Sequence, residues 1–387
     1  MQSEKNHMVS LLSCIDYQYE AVKSVIDQSV KNLGGWHLFV LAGEKVLLKV
    51  NLVMKKTPES AATSHPVFVR AISDLLIEQG VQVLIGDSPG GPFTVNRLHA
   101  IYQVCGMKEA AERSGAELNY NIDYSEVKNP NGLLLKKLTN IDVLRSVDKV
   151  INLSKLKTHG MMRMTGAVKN MFGTIPGTLK AEYHLNRPEP ENFADALIDI
   201  YLCANPVLSL IDGIVAMEGD GPTSGTPRSV GVVIASQDAF SMDLAASAII
   251  SAAPKSIPTV KRSIDRGLCP SDISKITFIG DALESFILDD FKAPAVKLVN
   301  PLMGNYPLFV KKIVDYTCQP RPVFLHEKCI GCEDCYKNCP PTAITMQRNR
   351  PEVDLGKCIR CFCCQELCPK KAVEIKRPLL FRFIAKL

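Results

Sequence analysis

Three features are missing from this 387-residue sequence, and each absence removes a class of protein. No apolar run reaches the roughly 18–20 residues that a helix needs to cross a bilayer, so we expect no transmembrane segment. The N-terminus, MQSEKNHMVSLLSC, lacks a basic region followed by a sustained apolar core, so it does not predict a secretory signal. The net charge is only +5, and no basic block interleaved with aromatic residues is present, so we do not expect a nucleic-acid binder.

The cysteines, in contrast, are numerous and unevenly placed. Nine of the 14 lie between Cys329 and Cys368. The other five are scattered: Cys14, Cys105, Cys203, Cys269 and Cys318. Clustered thiols in a chain without an export signal indicate metal binding in a reducing compartment rather than disulfide bonds. We therefore expect a cytoplasmic metalloprotein in which the scattered cysteines are small buried apolar residues.

Two copies of one motif account for eight of these nine cysteines. CIGCEDCYKNCP has the spacing C-x2-C-x2-C-x3-C-P, and the shift that takes Cys329 to Cys358 places it on CIRCFCCQELCP. The first copy supplies Cys329, Cys332, Cys335 and Cys339, and the second supplies Cys358, Cys361, Cys364 and Cys368. This repeat selects Cys364 rather than Cys363 as the third cysteine of the second copy, so Cys363 is left over.

This spacing is typical of loops that bind two cuboidal iron–sulfur clusters. Three cysteines at two-residue gaps converge on one cluster, and the cysteine before proline serves the other. We therefore predict two 4Fe–4S clusters. The predicted ligands are Cys329, Cys332, Cys335 and Cys368 for the first cluster, and Cys358, Cys361, Cys364 and Cys339 for the second. Structural zinc is the alternative, but zinc requires neither the third cysteine step nor the proline.

Residues 323–376 resemble the bacterial two-cluster ferredoxin module. The resemblance implies one-electron transfer with an external donor or a redox partner protein. The segment carries nine Lys/Arg and seven Asp/Glu, which is more typical of a domain serving its own chain than of a free acidic shuttle. We expect an α/β domain at 1–322, this ferredoxin domain at 323–376 and a basic, apolar tail at 377–387. The tail is expected to dock on its own domain, and contact with a membrane surface is the alternative.

The segment 1–322 alternates between predicted strands and helices. Strands are predicted at 45–50, 81–87, 149–153, 207–213, 229–236 and 275–281, and helices at 17–33, 63–80, 191–203 and 238–252. Strand–helix–strand order predicts parallel strands with right-handed crossovers. The expected fold is an α/β domain with a mixed or parallel sheet in two lobes, followed by a small α+β ferredoxin-like domain.

Polar loops follow four of these strands, at the strand ends where such folds bind ligands. They are the segment from Asn51 to His65, and the loops 86–92, 154–177 and 212–222, and we expect them to share one cleft. Loop 154–177 is rich in glycine and suits an anionic ligand, although a solvated basic loop is the alternative. Its basic or hydrogen-bonding residues are Lys155, Lys157, His159, Arg163 and Lys169.

Other polar residues near these loops admit a structural and a functional interpretation. His184 is either a structural histidine or a metal ligand or general base. Asp212, Glu218 and Asp220 either form turns or bind a metal or a ribose. His65 is either a helix-cap residue or part of the site.

Several segments together resemble domain-of-unknown-function family 362 over nearly the whole chain. They are KTH at 157–159, TGAVKN at 165–170, MEGDGP at 217–222, His184 and the C-terminal cysteine loops. The resemblance implies an iron–sulfur protein without an established substrate. We predict Lys157, His159, Lys169 and His184 as catalytic residues, and Lys169, Asn170 and Asp220 as cofactor-binding residues.

The order His159, Lys169, Pro176-Gly177, His184 is also similar, more weakly, to the nickel-pincer lactate racemase family. There a lysine tethers a pincer nucleotide, a later histidine ligates nickel and an earlier histidine is the acid/base. The resemblance would give these roles to Lys169, His184 and His159. The glycine-rich run of that family is MTGAV here, and its racemases have no ferredoxin module, so we leave an additional nucleotide or metal open.

These observations favour an iron–sulfur electron-transfer protein, with two clusters feeding an α/β domain that binds a small anionic substrate or cofactor. Two alternatives stay open. One is a non-enzymatic electron-relay or assembly protein that binds a protein partner. The other is a racemase-related enzyme whose clusters are structural or regulatory.

Overall fold

The computed structural model describes residues 7–294 and 320–376, which form an α/β domain followed by a small strand-rich, ferredoxin-like domain. The strands of the first domain are β1 (Met8–Ser13), β2 (Lys45–Lys49), β3 (Gln82–Gly86), β4 (Glu117–Leu118), β5 (Tyr124–Lys128), β6 (Lys137–Ile141), β7 (Lys149–His159), β8 (Arg163–Thr165), β9 (Leu208–Glu218), β10 (Thr226–Ser236) and β11 (Thr277–Gly280). Its helices are α1 (Tyr19–Asn32), α2 (Pro66–Glu78), α3 (Val95–Val104), α4 (Met107–Ser114), α5 (Ala167–Asn170), α6 (Leu179–Asn186), α7 (Pro190–Ala204), α8 (Ala239–Ile249) and α9 (Pro258–Asp265).

Nine of these strands form one mixed sheet. Its order is β11-β1-β10-β9-β7-β2-β3-β4, and β8 pairs with β7 off this path. The run β4-β3-β2-β7-β9 is parallel, whereas β10 is antiparallel to both β9 and β1. The predicted α/β class is confirmed, and one continuous sheet connects the parts that the sequence suggested as two lobes.

Hydrophobic cores cover both faces of this sheet. Along β2, Leu47 packs into one core while Val46 and Leu48 pack into the other. Successive side chains of a strand point to opposite faces, so consecutive apolar residues in the middle of a strand indicate burial on both sides. The first core includes α5, α7 and α8, and the second includes α1 and α2.

Two central strands are longer than the sequence predicts. β7 continues from residue 153 to His159, and β9 continues from residue 213 to Glu218. The extensions contain charged residues, but Lys155 is buried with its Nζ 2.8 Å from Oδ2 of Asp212. Polar residues can continue a buried strand when a partner from another strand compensates their charge. Loop 154–177 is therefore not a solvated basic loop in its first part.

The second domain repeats one unit twice. It contains β12 (Arg321–Phe324), α10 (Asp334–Lys337), β13 (Ile344–Gln347), β14 (Arg350–Val353), α11 (Cys363–Glu366) and β15 (Val373–Lys376). The strands pair antiparallel as β12 with β15 and β13 with β14. The shift that takes Cys329 to Cys358 also takes each element of the first unit to its equivalent in the second. Positive φ angles repeat likewise at 331 and 360, at 333 and 362, and at 342 and 371.

β12 begins at Arg321, slightly before the predicted domain boundary. The bounds 1–322, 323–376 and 377–387 stay predictions, and the tail 377–387 and Cys318 lie outside the described residues. Within 7–294 and 320–376, no helix combines the length and the apolar character that a membrane span requires.

Candidate functional site

The eight motif cysteines surround two small cavities. Cys329, Cys332, Cys335 and Cys368 line the first, and Cys339, Cys358, Cys361 and Cys364 line the second. Each cavity takes three cysteines from one loop and the fourth from the other, as the spacing predicts. Thiolates that face a common space from two loops fit a 4Fe–4S cluster, which supplies one-electron transfer when bound.

Backbone N–H groups donate to four of these sulfurs in a repeated pattern. The bonds are Gly331 N to Cys329 Sγ at 3.4 Å, Arg360 N to Cys358 Sγ at 3.4 Å, Ala343 N to Cys339 Sγ at 3.3 Å and Ala372 N to Cys368 Sγ at 3.1 Å. Hydrogen bonds to the sulfurs stabilise thiolates and tune cluster potentials. The protein thus provides the same donors in both loops, while the assignment of individual cysteines to clusters stays a prediction.

A larger cleft lies between the two domains, with about 810 Å³ of empty space that is partly open to solvent. All four polar loops of the first domain line it: 51–53, 87–91, the segment that includes Lys157 and Gly177, and Pro222. The opposite wall belongs to the second domain and consists of Asn338, Cys363, Glu366 and Leu367.

Three lysines line the cleft. Lys157 is buried and donates to Oδ1 of Asn51 at 2.6 Å and to the carbonyl of Ala62. Lys180 donates to the carbonyls of Ser88 and Pro89. Burial, together with the nearby charge of Lys169, lowers the pKa of Lys157 to about 7, and burial lowers the pKa of Lys180 to about 7.

Lys169 differs from the other two lysines because its ammonium has no hydrogen-bond or ion-pair partner among residues 7–294 and 320–376. Its Nζ lies 6.0 Å from the centre of the Phe172 ring. Burial lowers its pKa, while the charge of Glu366 opposes that shift. An ammonium without a protein partner in a cleft is available to an anionic ligand.

Glu366, from the second cysteine loop, reaches across to the first domain. Its Oε1 lies 3.0 Å from Nε2 of His159. The other ring nitrogen of His159 accepts from the backbone N–H groups of Met161 and Met162 at 3.1 and 3.2 Å. The ring proton therefore sits on Nε2, the nitrogen beside the carboxylate. Burial lowers the pKa of His159 to about 4, so this imidazole is neutral at pH 7.

Further contacts attach the second loop to the first domain. Gln365 Nε2 donates to the carbonyl of Asp220 at 2.7 Å, and Thr223 Oγ1 donates to the carbonyl of Glu366 at 3.0 Å. Asp220, predicted to bind a cofactor, thus lies at the domain interface and is not among the cleft-lining residues. His159 also does not line the cleft but lies behind Glu366.

Two other predicted site residues, Asn170 and His184, line the cleft, and they differ in how many of their polar atoms are hydrogen-bonded. The side chain of Asn170 is engaged by three elements, with Oδ1 accepting from Asn51 at 2.7 Å and Nδ2 donating to Asn152 Oδ1 at 2.8 Å. His184 stacks on Phe193 with ring centroids 4.5 Å apart, and its Nδ1 has no partner within the described residues. Burial lowers the pKa of His184 to about 3, so it is neutral.

The remaining candidates have structural partners. Asp212 is a strand residue and not a turn residue, since it lies in β9 and accepts from Lys155 and from Tyr17 Oη at 2.8 Å. Glu218 accepts from the backbone N–H of Lys292 at 3.1 Å. His65 is the N-cap of α2, with Nδ1 accepting from the backbone N–H of Val67, and is therefore a cap residue.

Comparison with known families agrees with this division. Residues 46–248 match the family described as a domain of unknown function, DUF362. The chain belongs to the DUF362 family. Residues 321–369 match the 4Fe-4S dicluster domain, which supports iron–sulfur clusters and is consistent with two of them.

A curated relative of this DUF362 protein is the thylakoid-associated protein sll1697 of Synechocystis sp. It is 32% identical over 294 residues, which is 74% of this chain and 88% of the relative. The association in that name belongs to the cyanobacterial protein, and the cytoplasmic location expected for this chain stays a prediction.

Solved structures resemble the DUF362 chain only distantly. The lactate racemase apoprotein of Thermoanaerobacterium thermosaccharolyticum is 13% identical with a TM-score of 0.38, covering 64% of this chain and 57% of that one. A protein from Thermotoga maritima is 12% identical with a TM-score of 0.37, covering 61% and 60%. This chain spans less than two thirds of either structure, and no role is transferred from them.

Sequence reasoning missed three cleft residues, namely Lys180, Cys363 and Glu366. A signal for the last two exists in the repeat. When Cys358 is placed on Cys329, Cys363 corresponds to Asp334 and Glu366 to Lys337. The second loop thus departs from the first at the positions that face the DUF362 domain.

Proposed function

We propose that the protein transfers single electrons between an external redox partner and a small anionic ligand held in the cleft. The eight motif cysteines hold the two 4Fe–4S clusters that supply this electron transfer. The reaction class is the oxidation or reduction of the bound anion.

One observation carries the proposal. The loop that contains Cys361 and Cys364 also supplies Cys363, Glu366 and Leu367 to the wall of the cleft. A ligand in the cleft therefore lies beside the loop that binds the second predicted cluster. Short separation between a one-electron centre and a bound ligand is what electron transfer between them requires.

The charges of the cleft support an anionic ligand. Three lysines line it, Lys157, Lys169 and Lys180, and they outnumber its two carboxylates. Asp87 lies 2.8 Å from Lys49, whereas Glu366 lies beside the neutral imidazole of His159 and keeps its charge. The ammonium of Lys169 binds the anion in this proposal. Lys157, with its pKa of about 7, is suited to exchange a proton with the ligand.

His159 has a different role from the predicted acid/base. Both of its ring nitrogens are engaged by the protein, and it does not line the cleft. We assign it as a positioning residue that holds Glu366 and, through it, the second cysteine loop.

The experiment compares anaerobically purified wild-type protein with Lys169→Ala. We expect about eight iron per chain in both, because two four-iron clusters do not depend on this lysine. With oxalate as the probe, we expect Lys169→Ala to bind at least about tenfold more weakly, since it loses a charge-assisted hydrogen bond. Lys337→Ala, which removes an exposed lysine of the first loop, is the matched control and should bind oxalate like wild type.

Equal oxalate affinity of wild type and Lys169→Ala would contradict the proposal. If wild-type protein binds no small anion but exchanges electrons with a partner protein, the electron-relay alternative holds. If a small molecule is turned over equally with and without a supply of electrons, the non-redox enzyme alternative holds. Native mass spectrometry of the anaerobic protein checks for a co-purified nucleotide or second metal.

A further inference from the structure

Opposite charges face the cleft from its two walls. Lys169 lies on the wall that the first domain supplies, and Glu366 lies on the wall that the second cysteine loop supplies. Among the described residues the two groups do not form an ion pair with each other, but they are close enough for their charges to interact. The cleft thus holds an ammonium and a carboxylate that face the same space without direct contact.

The carboxylate of Glu366 is only partly engaged by the protein. Its Oε1 lies 3.0 Å from Nε2 of His159, whose imidazole is neutral at pH 7 and supplies no compensating charge. Its Oε2 has no hydrogen-bond or ion-pair partner in the part of the chain that the structure describes, and the side chain is 16% exposed. A carboxylate that is largely removed from water favours a cationic hydrogen-bond donor beside its open oxygen.

Buried polar atoms on the wall of the first domain also call for contacts with a ligand. Ser88 Oγ and Thr165 Oγ1 line the cleft and have no hydrogen-bond partner within the described residues. Asp87 Oδ1 is without a hydrogen bond there as well, but Lys49 Nζ lies 2.8 Å away and compensates its charge. Buried polar groups are almost always paired in native proteins, and hydroxyl groups can donate or accept. Glu366 is therefore the cleft carboxylate whose charge is left for a ligand.

We propose that the cleft binds a small anion that also carries an ammonium group, which is the charge pattern of an acidic amino acid. The inference rests on the proposed function and names the substrate class of the same cleft. Lys169 binds one carboxylate of the ligand, while Oε2 of Glu366 accepts a hydrogen bond from its ammonium group. Lys157 and Lys180, which also line the cleft, favour the second carboxylate. The ligand therefore bridges the two domains.

This charge pattern discriminates against anions that lack the ammonium group. A simple dicarboxylate can bind Lys169, but it places further negative charge in the space that Glu366 faces and leaves Oε2 without a partner. Like charges brought together in a binding site repel, and a charged group that loses water without gaining a partner reduces the affinity. Specificity therefore follows from what Glu366 rejects as well as from what it binds.

Two matched pairs of probes test the inference on the anaerobic full-length protein at pH 7. Succinate and aspartate have the same carbon skeleton and differ by the ammonium group, and so do glutarate and glutamate. Titration calorimetry with both enantiomers of each amino acid should show a preference of at least about tenfold for the amino acid in one of the pairs, because one charge-assisted hydrogen bond is gained. The corresponding hydroxy acids, malate and 2-hydroxyglutarate, should bind more weakly than the preferred amino acid because a hydroxyl group carries no charge.

The variants Glu366→Gln and Glu333→Gln form a matched pair. Glu333 lies in the first cysteine loop, pairs with Lys337 and does not line the cleft. Glu366→Gln keeps the shape of the side chain but removes its charge, so it should lose the preference for the amino acid while it binds the simple dicarboxylate at least as well as wild type. Lys169→Ala should weaken the binding of both members of each pair. Glu333→Gln should behave like wild type, and all three variants should keep about eight iron, as for two four-iron clusters.

Three results would overturn the inference. The first is that neither amino acid binds wild-type protein more tightly than its dicarboxylate, and the second is that the hydroxy acid binds as tightly as the amino acid. The third is a preference for the amino acid that survives in Glu366→Gln, because another group would then bind the ammonium. The two proposals fail separately. If wild-type protein binds oxalate but does not prefer the ammonium-bearing probes, only this inference is wrong, whereas if oxalate does not bind, the proposed function is wrong.

Discussion

The two cysteine loops have the same ligand framework but different surroundings. In the first loop Cys332 is exposed, and Tyr336 is 44% exposed. In the second loop Phe362, Cys363 and Gln365 are buried. The backbone is nearly the same, since the short helices and the positive φ angles recur at equivalent positions of the repeat.

The differences between the loops lie in the side chains that do not hold iron. Glu333, Asp334, Tyr336, Lys337 and Asn338 of the first loop correspond to Phe362, Cys363, Gln365, Glu366 and Leu367 of the second. In the second set, Gln365 donates to Asp220 of the DUF362 domain, and Cys363, Glu366 and Leu367 line the cleft. From the first set only Asn338 lines it. One motif therefore provides a mainly solvent-facing unit and a unit that contacts the first domain.

The largest expected effect concerns the ligand register. Cys364→Ser removes a predicted ligand of the second cluster, so we expect loss of up to about four of eight iron atoms. Cys363→Ser should retain them all. Iron analysis and electron paramagnetic resonance of the reduced anaerobic proteins measure the difference. The opposite result for the two variants would show that the repeat does not identify which cysteine of the second loop is the third cluster ligand.

The next comparison uses equivalent positions of the two loops, Glu366 and Lys337. Glu366→Ala leaves the buried Nε2–H of His159 without its acceptor, which costs about 1–3 kcal/mol. Lys337→Ala breaks only an exposed ion pair with Glu333 within one helical turn, so we expect no measurable change in stability. Thermal unfolding of the anaerobic proteins measures both.

Equal destabilisation by these two variants would contradict the asymmetry of the loops. Glu366→Gln is a useful addition because its amide oxygen can still accept from His159. It should recover part of the stability that Glu366→Ala loses.

The smallest expected effect is a pH dependence of oxalate binding in the cleft. Burial lowers the pKa of Lys157 and of Lys180 to about 7, so both ammonium groups are charged below pH 7 and neutral above it. Oxalate, a dianion throughout this range, should bind more weakly at pH 8 than at pH 6, by about tenfold if one full charge contact is lost. The pKa values of His159 and His184, about 4 and 3, keep both neutral over this interval.

Titration calorimetry from pH 6 to pH 8 checks this expectation. The charged groups that act on the two lysines are Lys49, Lys155, Asp87, Lys169 and Glu366. Affinity that is constant or increases with pH would contradict the assignment of the two amines as the titrating groups.

Much of the α/β architecture was predictable because its signals are local. Apolar strands such as 45–50 and the helix after Pro66 follow from side-chain periodicity and turn residues. The extension of β7 was not predictable, because Lys155 looks like a loop residue until it is seen to pair with Asp212 of the neighbouring strand β9. The contact of His159 with Glu366 was not predictable for the same reason, since the two residues belong to different domains.

By itself, the sequence determined the two cysteine loops and six strands and four helices of the first domain. Both depend on neighbours close along the chain: cysteine spacing limits which sulfurs can meet, and periodicity selects strand or helix. Only the tertiary structure decided that the second loop closes a cleft with Glu366 and Cys363, and that Lys169 alone of three cleft lysines lacks a partner in the described chain. Those properties depend on burial and charge compensation between distant segments, which no local pattern encodes.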